Sequence, residues 1–262
     1  MFSEHKPTYG SCPKCGHAPL PLDQSLPAAC PACGLILAKY GAPLPTSVRP
    51  DDLEEVAPGR LASLINLATH IPARVDPSSF WMRVGLWALF VVWGVRLMAM
   101  DYRDIGVGAS FIHLPLLVFH EAGHVLFMLF GQFMTIAGGT LMQLIMPLVL
   151  CGALLSKARD PFGASLGLWL VGVSLLDIAP YAYDALEPKL MLLGGRTGED
   201  GGHDWINMLS DLGLLKRAHG IGWIFHKLGA LVVMGAIAWG GWLLWQQKKR
   251  LVDGPVIEEA DP

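Results

Sequence analysis

Residues 117–131 read LVFHEAGHVLFMLFG, an apolar run interrupted by two histidines and one glutamate. Burying such side chains in apolar surroundings is costly unless a partner compensates them. His120 and His124 are four residues apart, and residues at that spacing share one face of an α-helix. The stretch therefore predicts a helix whose two histidines bind one metal ion, with Glu121 beside them.

The pattern H-E-x-x-H on a helix is typical of zinc metalloproteases. Zinc makes water acidic enough to act as a nucleophile near neutral pH. A neighbouring glutamate can take the proton during attack on a peptide carbonyl. We therefore predict one catalytic zinc, with Glu121 as the general base. The alternative is a hydrogen-bonded pair of histidines without a metal, but ionisable residues inside a membrane span favour a functional site.

The composition indicates a membrane protein. The chain of 262 residues is 53% hydrophobic and 16% charged, whereas soluble domains have about 25% charged residues. The net charge of −3 gives no indication of nucleic acid as a partner. Because about 20 apolar residues cross a bilayer as a helix, we predict an all-α polytopic membrane protein. Its transmembrane helices, about five, are expected at 80–100, 111–131, 134–155, 162–183 and 221–246. Gly138, Gly139 and Pro147 make the third span the least regular, so part of it could be re-entrant.

Four of the five cysteines form two pairs near the N-terminus, CPKCG (Cys12, Cys15) and CPACG (Cys30, Cys33). Fourteen residues separate the pairs, slightly fewer than in most four-cysteine zinc sites. Because a domain of about 40 residues buries little core, we predict a zinc ribbon whose four thiolates hold a structural zinc. Two disulfides or a thioredoxin-like redox pair are the alternatives. Reduced thiols indicate the cytosol.

The chain divides into four predicted regions. These are a zinc ribbon at 1–40, a proline-rich linker with a surface helix at 41–79, a transmembrane metalloprotease-like domain at 80–250, and a polar tail at 251–262. We expect an integral protein of a prokaryotic-type inner or plasma membrane, with the ribbon in the cytosol. Its expected partners are the lipid bilayer, a membrane protein or peptide as substrate, and a protein that binds the ribbon.

The sequence FHEAGHVL in an apolar span, followed by a glycine-bearing hydrophobic segment and a later span with an aspartate, resembles the site-2 protease family of intramembrane zinc metalloproteases. The resemblance covers residues 80 to about 210. It implies a polytopic helical fold, one catalytic zinc, and cleavage of peptide bonds in or near the membrane. In the family, an aspartate in an LDG context of a later span is the third zinc ligand. This chain departs from that pattern, because its fourth span reads SLLDIAPYAYDA and DGGH occurs at 200–203.

Depth in the membrane favours Asp177 as the third ligand. At 1.5 Å per residue, His120 and His124 lie about 14 and 20 Å from the start of the second span. The fourth span should start at the same membrane face, which places Asp177 about 22 Å and Asp184 about 33 Å into it. Asp184 remains an alternative, as do two residues of the following loop that could fold back onto the site, His203 and Asp204.

Two further polar residues fall in the spans near the motif. His113 lies seven residues before His120 on the same helix face, where it could mark a water path to the zinc or simply an interfacial histidine. Gln143 could bind the substrate backbone or form a hydrogen bond between helices. A non-catalytic protease-like scaffold and a metal-handling membrane protein remain alternative functions. The intact motif argues against the scaffold, because folding alone does not need Glu121.

Overall fold

Seven α-helices form in the part of the chain that the computed structural model describes, residues 9–20, 28–37, 59–193 and 195–253. Contacts divide the chain into two units, Met1–Gly59 and Arg60–Pro262. The described part of the first unit contains both cysteine pairs, and all seven helices lie in the second. Residues 41–58 of the predicted linker and 254–262 of the predicted tail lie outside the described residues. The helices are α1 (Arg60–Ala68), α2 (Pro77–Met98), α3 (His113–Phe127), α4 (Gln132–Ser156), α5 (Pro161–Asp184), α6 (Asp204–Asp211) and α7 (Ala218–Asp253).

Five helical segments are long and apolar enough to cross a membrane, namely α2, α3 together with the 3-10 turn Met128–Phe130 that continues it, α4, α5 and α7. Each coincides with a predicted span, which confirms the all-helical pattern over the described residues. Helix α4 runs continuously for 25 residues with Pro147 inside it, so it contains no re-entrant break. Large apolar side chains such as Trp81, Val118 and Leu129 are exposed, as expected for helices in contact with lipid. These features indicate an integral membrane protein.

Helix α5 forms the centre of the helical unit, with α2, α4 and α7 packed around it. Its glycines permit close contact, because a Cβ on Gly167 would meet Cys151 of α4 and one on Gly172 would meet Val233 of α7. Helix α2 runs in the same direction as α5, since Phe80 clusters with Phe162 at the start of both helices. This packing buries most of α5, and with it any polar residue that the helix carries.

The two glycines Gly123 and Gly138 let α3 and α4 cross with their backbones nearly in contact. A Cβ built on Gly123 would lie 2.1 Å from the carbonyl oxygen of Gly138. Backbones approach this closely only where glycine removes the side chain. The crossing brings the histidines of α3 directly against the backbone of α4.

The short helix α6, of eight residues, packs against α4 and α5. Its Trp205, Met208 and Leu209 are buried in a cluster that includes Ile178 and Ala182 of α5. These three residues follow the spacing of one helix face. Docking of that face fixes the position of the first residue of α6.

Helix α1 lies in the predicted linker, and its last residue and the chain that follows it are hydrogen-bonded to α7. The Trp239 indole N–H donates a hydrogen bond to the Ala68 carbonyl at 3.0 Å. The Arg250 guanidinium donates to the carbonyls of Ile71 and Pro72, each at 2.8 Å. On α1 itself Leu61 remains exposed.

Replacement of Gly138 by alanine should destabilise the helical unit. The added Cβ would lie 2.6 Å from the Gly123 carbonyl oxygen and 2.7 Å from Phe127 Cβ, and overpacking of this kind costs about 1–3 kcal/mol. Gly152→Ala on the same helix is the matched control, because nothing lies within 4 Å of its added Cβ. Thermal unfolding in detergent measures both. Equal melting temperatures for the two variants would contradict the close crossing.

Candidate metal centres

The four cysteines Cys12, Cys15, Cys30 and Cys33 converge in the first unit, with their sulfur atoms all within 4.8 Å of one another. Each pair sits on a tight turn of the same construction. The Gly16 N–H donates to the Cys12 carbonyl at 2.8 Å, and the Gly34 N–H donates to the Cys30 carbonyl at 2.9 Å.

The sulfur separations suit a shared metal ion. Cys12 and Cys33 sulfurs are 3.7 Å apart, and those of Cys15 and Cys30 are 3.8 Å apart. Four sulfurs about 2.3 Å from one zinc in a tetrahedron lie about 3.8 Å from each other. A disulfide would require about 2.05 Å, and all four cysteines are free. The four-cysteine group can therefore bind a metal ion.

Replacement of Cys30 by serine should remove the metal ion from the first unit, because a serine hydroxyl is a poor replacement for a thiolate ligand. Metal content after dialysis against a weak chelator should fall by one equivalent. Cys151→Ser is the matched control, since Cys151 lies on α4 and outside the cysteine group. Loss of metal from the control, or full retention in the Cys30 variant, would contradict the assignment.

A second group of three residues lies in the helical unit. This histidine group consists of His120, His124 and Asp204. The Nε2 atoms of His120 and His124 lie 2.9 and 3.3 Å from the same Asp204 oxygen, Oδ2. The two histidines come from α3, four residues apart as the motif predicts, and Asp204 is the first residue of α6.

The hydrogen bonds of His124 show why this convergence calls for a cation. Its Nδ1 lies 2.8 Å from the Thr135 carbonyl oxygen, and a carbonyl only accepts, so Nδ1 carries a proton. In the neutral ring, Nε2 then presents a lone pair towards the Asp204 carboxylate. Two electron-rich atoms this close repel each other, so either an extra proton or a metal ion must lie between them.

Gly139 supplies the space that an ion would need. A Cβ built at this position would lie 2.5 Å from His120 Nε2 and 2.7 Å from His124 Nε2. Any side chain on residue 139 would therefore fill the space beside both nitrogens. Two imidazoles and one carboxylate are also the ligand set found in several catalytic zinc sites. The residues present thus fit a metal ion on both chemical and steric grounds.

Three contacts hold Asp204 in place. Its backbone N–H donates to the Tyr181 hydroxyl at 3.0 Å. His203 caps α6 by accepting from the Ile206 N–H with Nδ1, so the proton of its fully buried ring is on Nε2. This Nε2 lies 3.3 Å from Asp184 Oδ2, outside hydrogen-bond geometry. Burial raises the pKa of the Asp204 carboxyl, but His120 and His124, when their Nε2 atoms carry the extra proton, lower it more, to below its ordinary value. The carboxylate therefore stays ionised, as a metal ligand must be.

The structure does not bring Asp177, our predicted third ligand, into this group. Asp177 instead contacts His113 Nδ1 at 2.9 Å and Gln143 Nε2 at 2.8 Å. The depth estimate assumed that two straight spans start at the same level. Helix α3 begins only at His113, which lies level with Asp177, and His120 is about 10 Å further along the helix.

The other sequence-based alternatives also have different positions. Asp184 accepts hydrogen bonds from the backbone N–H groups of Lys189 and Leu190, which fixes the start of the loop that leads to α6. His203 caps α6. Of the four candidates for the third ligand, which are Asp177, Asp184, His203 and Asp204, only Asp204 lies in the group with the two histidines. The sequence DWINMLSD did carry a signal, because apolar residues at 205, 208 and 209 predict a docked helix that begins at Asp204.

A cavity of about 790 Å³ opens beside the histidines. Glu121, His113 and Tyr181 line it together with His120, His124 and Asp204, and apolar residues such as Leu117 and Ile178 line other parts of it. Glu121 is exposed and therefore available to a molecule in the cavity. The cavity therefore contains, besides the three residues of the group, the carboxylate of Glu121.

Comparison of the chain with protein-family models, curated proteins and solved structures found no match.

Replacement of Asp204 by asparagine should weaken metal binding at the histidine group strongly, because a neutral amide replaces a charged ligand. Asp211→Asn, at the exposed far end of α6, is the matched control. Metal content should fall by one equivalent for Asp204→Asn and stay unchanged for Asp211→Asn. If Asp177→Asn lost one equivalent of metal and Asp204→Asn lost none, the third ligand would be Asp177 instead of Asp204.

Proposed function

We propose that this chain is an intramembrane zinc metalloprotease of the site-2 protease type, with His120, His124 and Asp204 as ligands of a catalytic zinc. The observation that carries the proposal is the convergence of two imidazole nitrogens and one carboxylate beside Glu121. It occurs in a cavity among helices that are apolar enough to span a membrane. Zinc, when bound there, would polarise a peptide carbonyl and make water acidic.

Glu121 is the proposed general base. It follows the ligand His120 directly on α3 and lines the cavity without belonging to the ligand group. A carboxylate in this position can take a proton from an attacking water and later deliver it to the leaving amine. The apolar part of the cavity wall would limit access of bulk water, which strengthens electrostatic interactions inside.

The four-cysteine unit is proposed to hold a structural zinc. Its short turns and the small described core make a metal the main source of folding free energy. We propose that this unit faces the cytosol, where thiols stay reduced, and that it binds a protein partner. The substrate is proposed to be a membrane protein or peptide.

Replacement of Glu121 by glutamine tests the catalytic proposal. With a mixture of single-span membrane peptides in detergent micelles, cleavage by the variant should fall by about 100-fold or more, because the general base is lost. Metal content should stay at the wild-type level, because Glu121 is not a ligand. Mass spectrometry of the products measures cleavage, and Glu187→Gln, on an exposed carboxylate paired with Lys189, is the matched control.

The outcomes separate the alternative functions. Wild-type protein without metal at the histidine group would overturn the proposal. Products that are the same for wild type and Glu121→Gln would favour a scaffold. Wild type that binds metal at this group but releases no products from any peptide would favour a metal-handling protein.

A further inference from the structure

A chain of hydrogen bonds leads from the histidine group into the centre of the helical unit. His120 Nδ1 lies 3.1 Å from Gln143 Oε1. Gln143 Nε2 donates to Asp177 Oδ2 at 2.8 Å. Asp177 also lies 2.9 Å from His113 Nδ1. Gln143 is 3% and Asp177 6% exposed, so water has little access to these bonds.

The carboxylate of Asp177 determines which group donates and which accepts in each of these hydrogen bonds. A carboxylate accepts hydrogen bonds and does not donate them, so the NH2 group of Gln143 must face Asp177. The amide oxygen of Gln143 then faces His120, and His120 Nδ1 must carry the proton. As a result Nε2, the atom 2.9 Å from Asp204, keeps its lone pair for an ion.

The two histidines differ in how their tautomers are fixed. His124 donates to a backbone carbonyl of α4, which has no donor with which to reverse the bond. His120 faces a side-chain amide, which can rotate by 180° and present NH2 instead of oxygen. In that orientation Gln143 would favour the His120 tautomer with its proton on Nε2. That nitrogen, which faces Asp204, could then not bind an ion.

We propose that Asp177 is a positioning residue that acts through Gln143 to hold His120 in its metal-binding tautomer. This inference rests on the proposed metal site. Partners of this kind around metal ligands typically change metal affinity by about 10- to 100-fold. The role also explains why a span carries a buried aspartate that the histidine group does not include.

A double substitution tests whether metal binding depends on the tautomer of His120 or on a carboxylate at position 177. In Asp177→Asn with Gln143→Glu, the carboxylate moves to position 143 and the amide to position 177. The carboxylate at position 143 would accept from His120 Nδ1 and from the NH2 group of the amide at position 177. The oxygen of that amide would accept from His113. The bond between positions 143 and 177 is then reversed, but His120 and His113 both still donate from Nδ1, so the tautomer of His120 is preserved. A neutral amide at position 177 would be a poor metal ligand.

The experiment titrates purified full-length protein with cobalt(II) against a competing chelator. The four-cysteine site is an internal reference, because only thiolates give charge-transfer absorption with cobalt. Gln143→Met and Asp177→Ala should each weaken binding at the histidine group by about 10- to 100-fold, with the cysteine site unchanged. The double variant should bind at near wild-type affinity. Gln247→Met, which alters a buried glutamine of α7, is the matched control.

Three results would count against the inference. Unchanged affinity in Gln143→Met and Asp177→Ala would show that the chain does not position His120. Loss of binding in the double variant as severe as in Asp177→Ala would show that Asp177 is itself a ligand or that it does not act by fixing the tautomer of His120. Wild type that binds no cobalt at the histidine group would overturn the proposed function itself, which distinguishes the two failures.

Discussion

The structure of the helical unit depends on one electrostatic constraint. Two imidazole nitrogens each lie within 3.3 Å of one carboxylate oxygen, and such a group is stable among apolar helices only if an extra proton or a metal ion compensates it. Several features of the fold serve this convergence. The close crossing of α3 and α4 places the imidazole rings against the backbone of α4. Gly139 leaves space beside those rings, and Asp204 lies at the start of α6. Each feature would be hard to explain if the histidines were only packing residues.

Much of the fold could be predicted because the information is local. A helix that crosses a bilayer must be about 20 apolar residues long, so the five spans are visible as lengths of sequence. The spacing of His120 and His124, and of the cysteines within each pair, also reports short-range geometry. Residues four apart on a helix share a face wherever that helix lies. These predictions therefore needed no knowledge of how the helices pack.

The third member of the histidine group could not be predicted in the same way, because it depends on packing between distant segments. Asp177 and Asp204 are both acidic residues that follow the motif in the sequence. The choice between them depends on where α3 begins and on how α6 folds back over α5. Only the buried cluster around Trp205 and Met208 determines the second point. Depth along straight, parallel helices gives no position for a segment such as α6, which docks against the sides of other helices.

The position of Asp204 at the start of α6 has a consequence for assembly. A helix of eight residues is not stable alone, and α6 is synthesised after α5, long after the histidines of α3. An ion held by all three residues would tie two segments 84 positions apart in sequence and close a large loop of chain. Ion binding and docking of α6 would then be one coupled equilibrium, in which each stabilises the other. A nascent chain that ends before α6 would hold an incomplete ligand set, and could not reach full metal affinity until α6 has been synthesised and has docked.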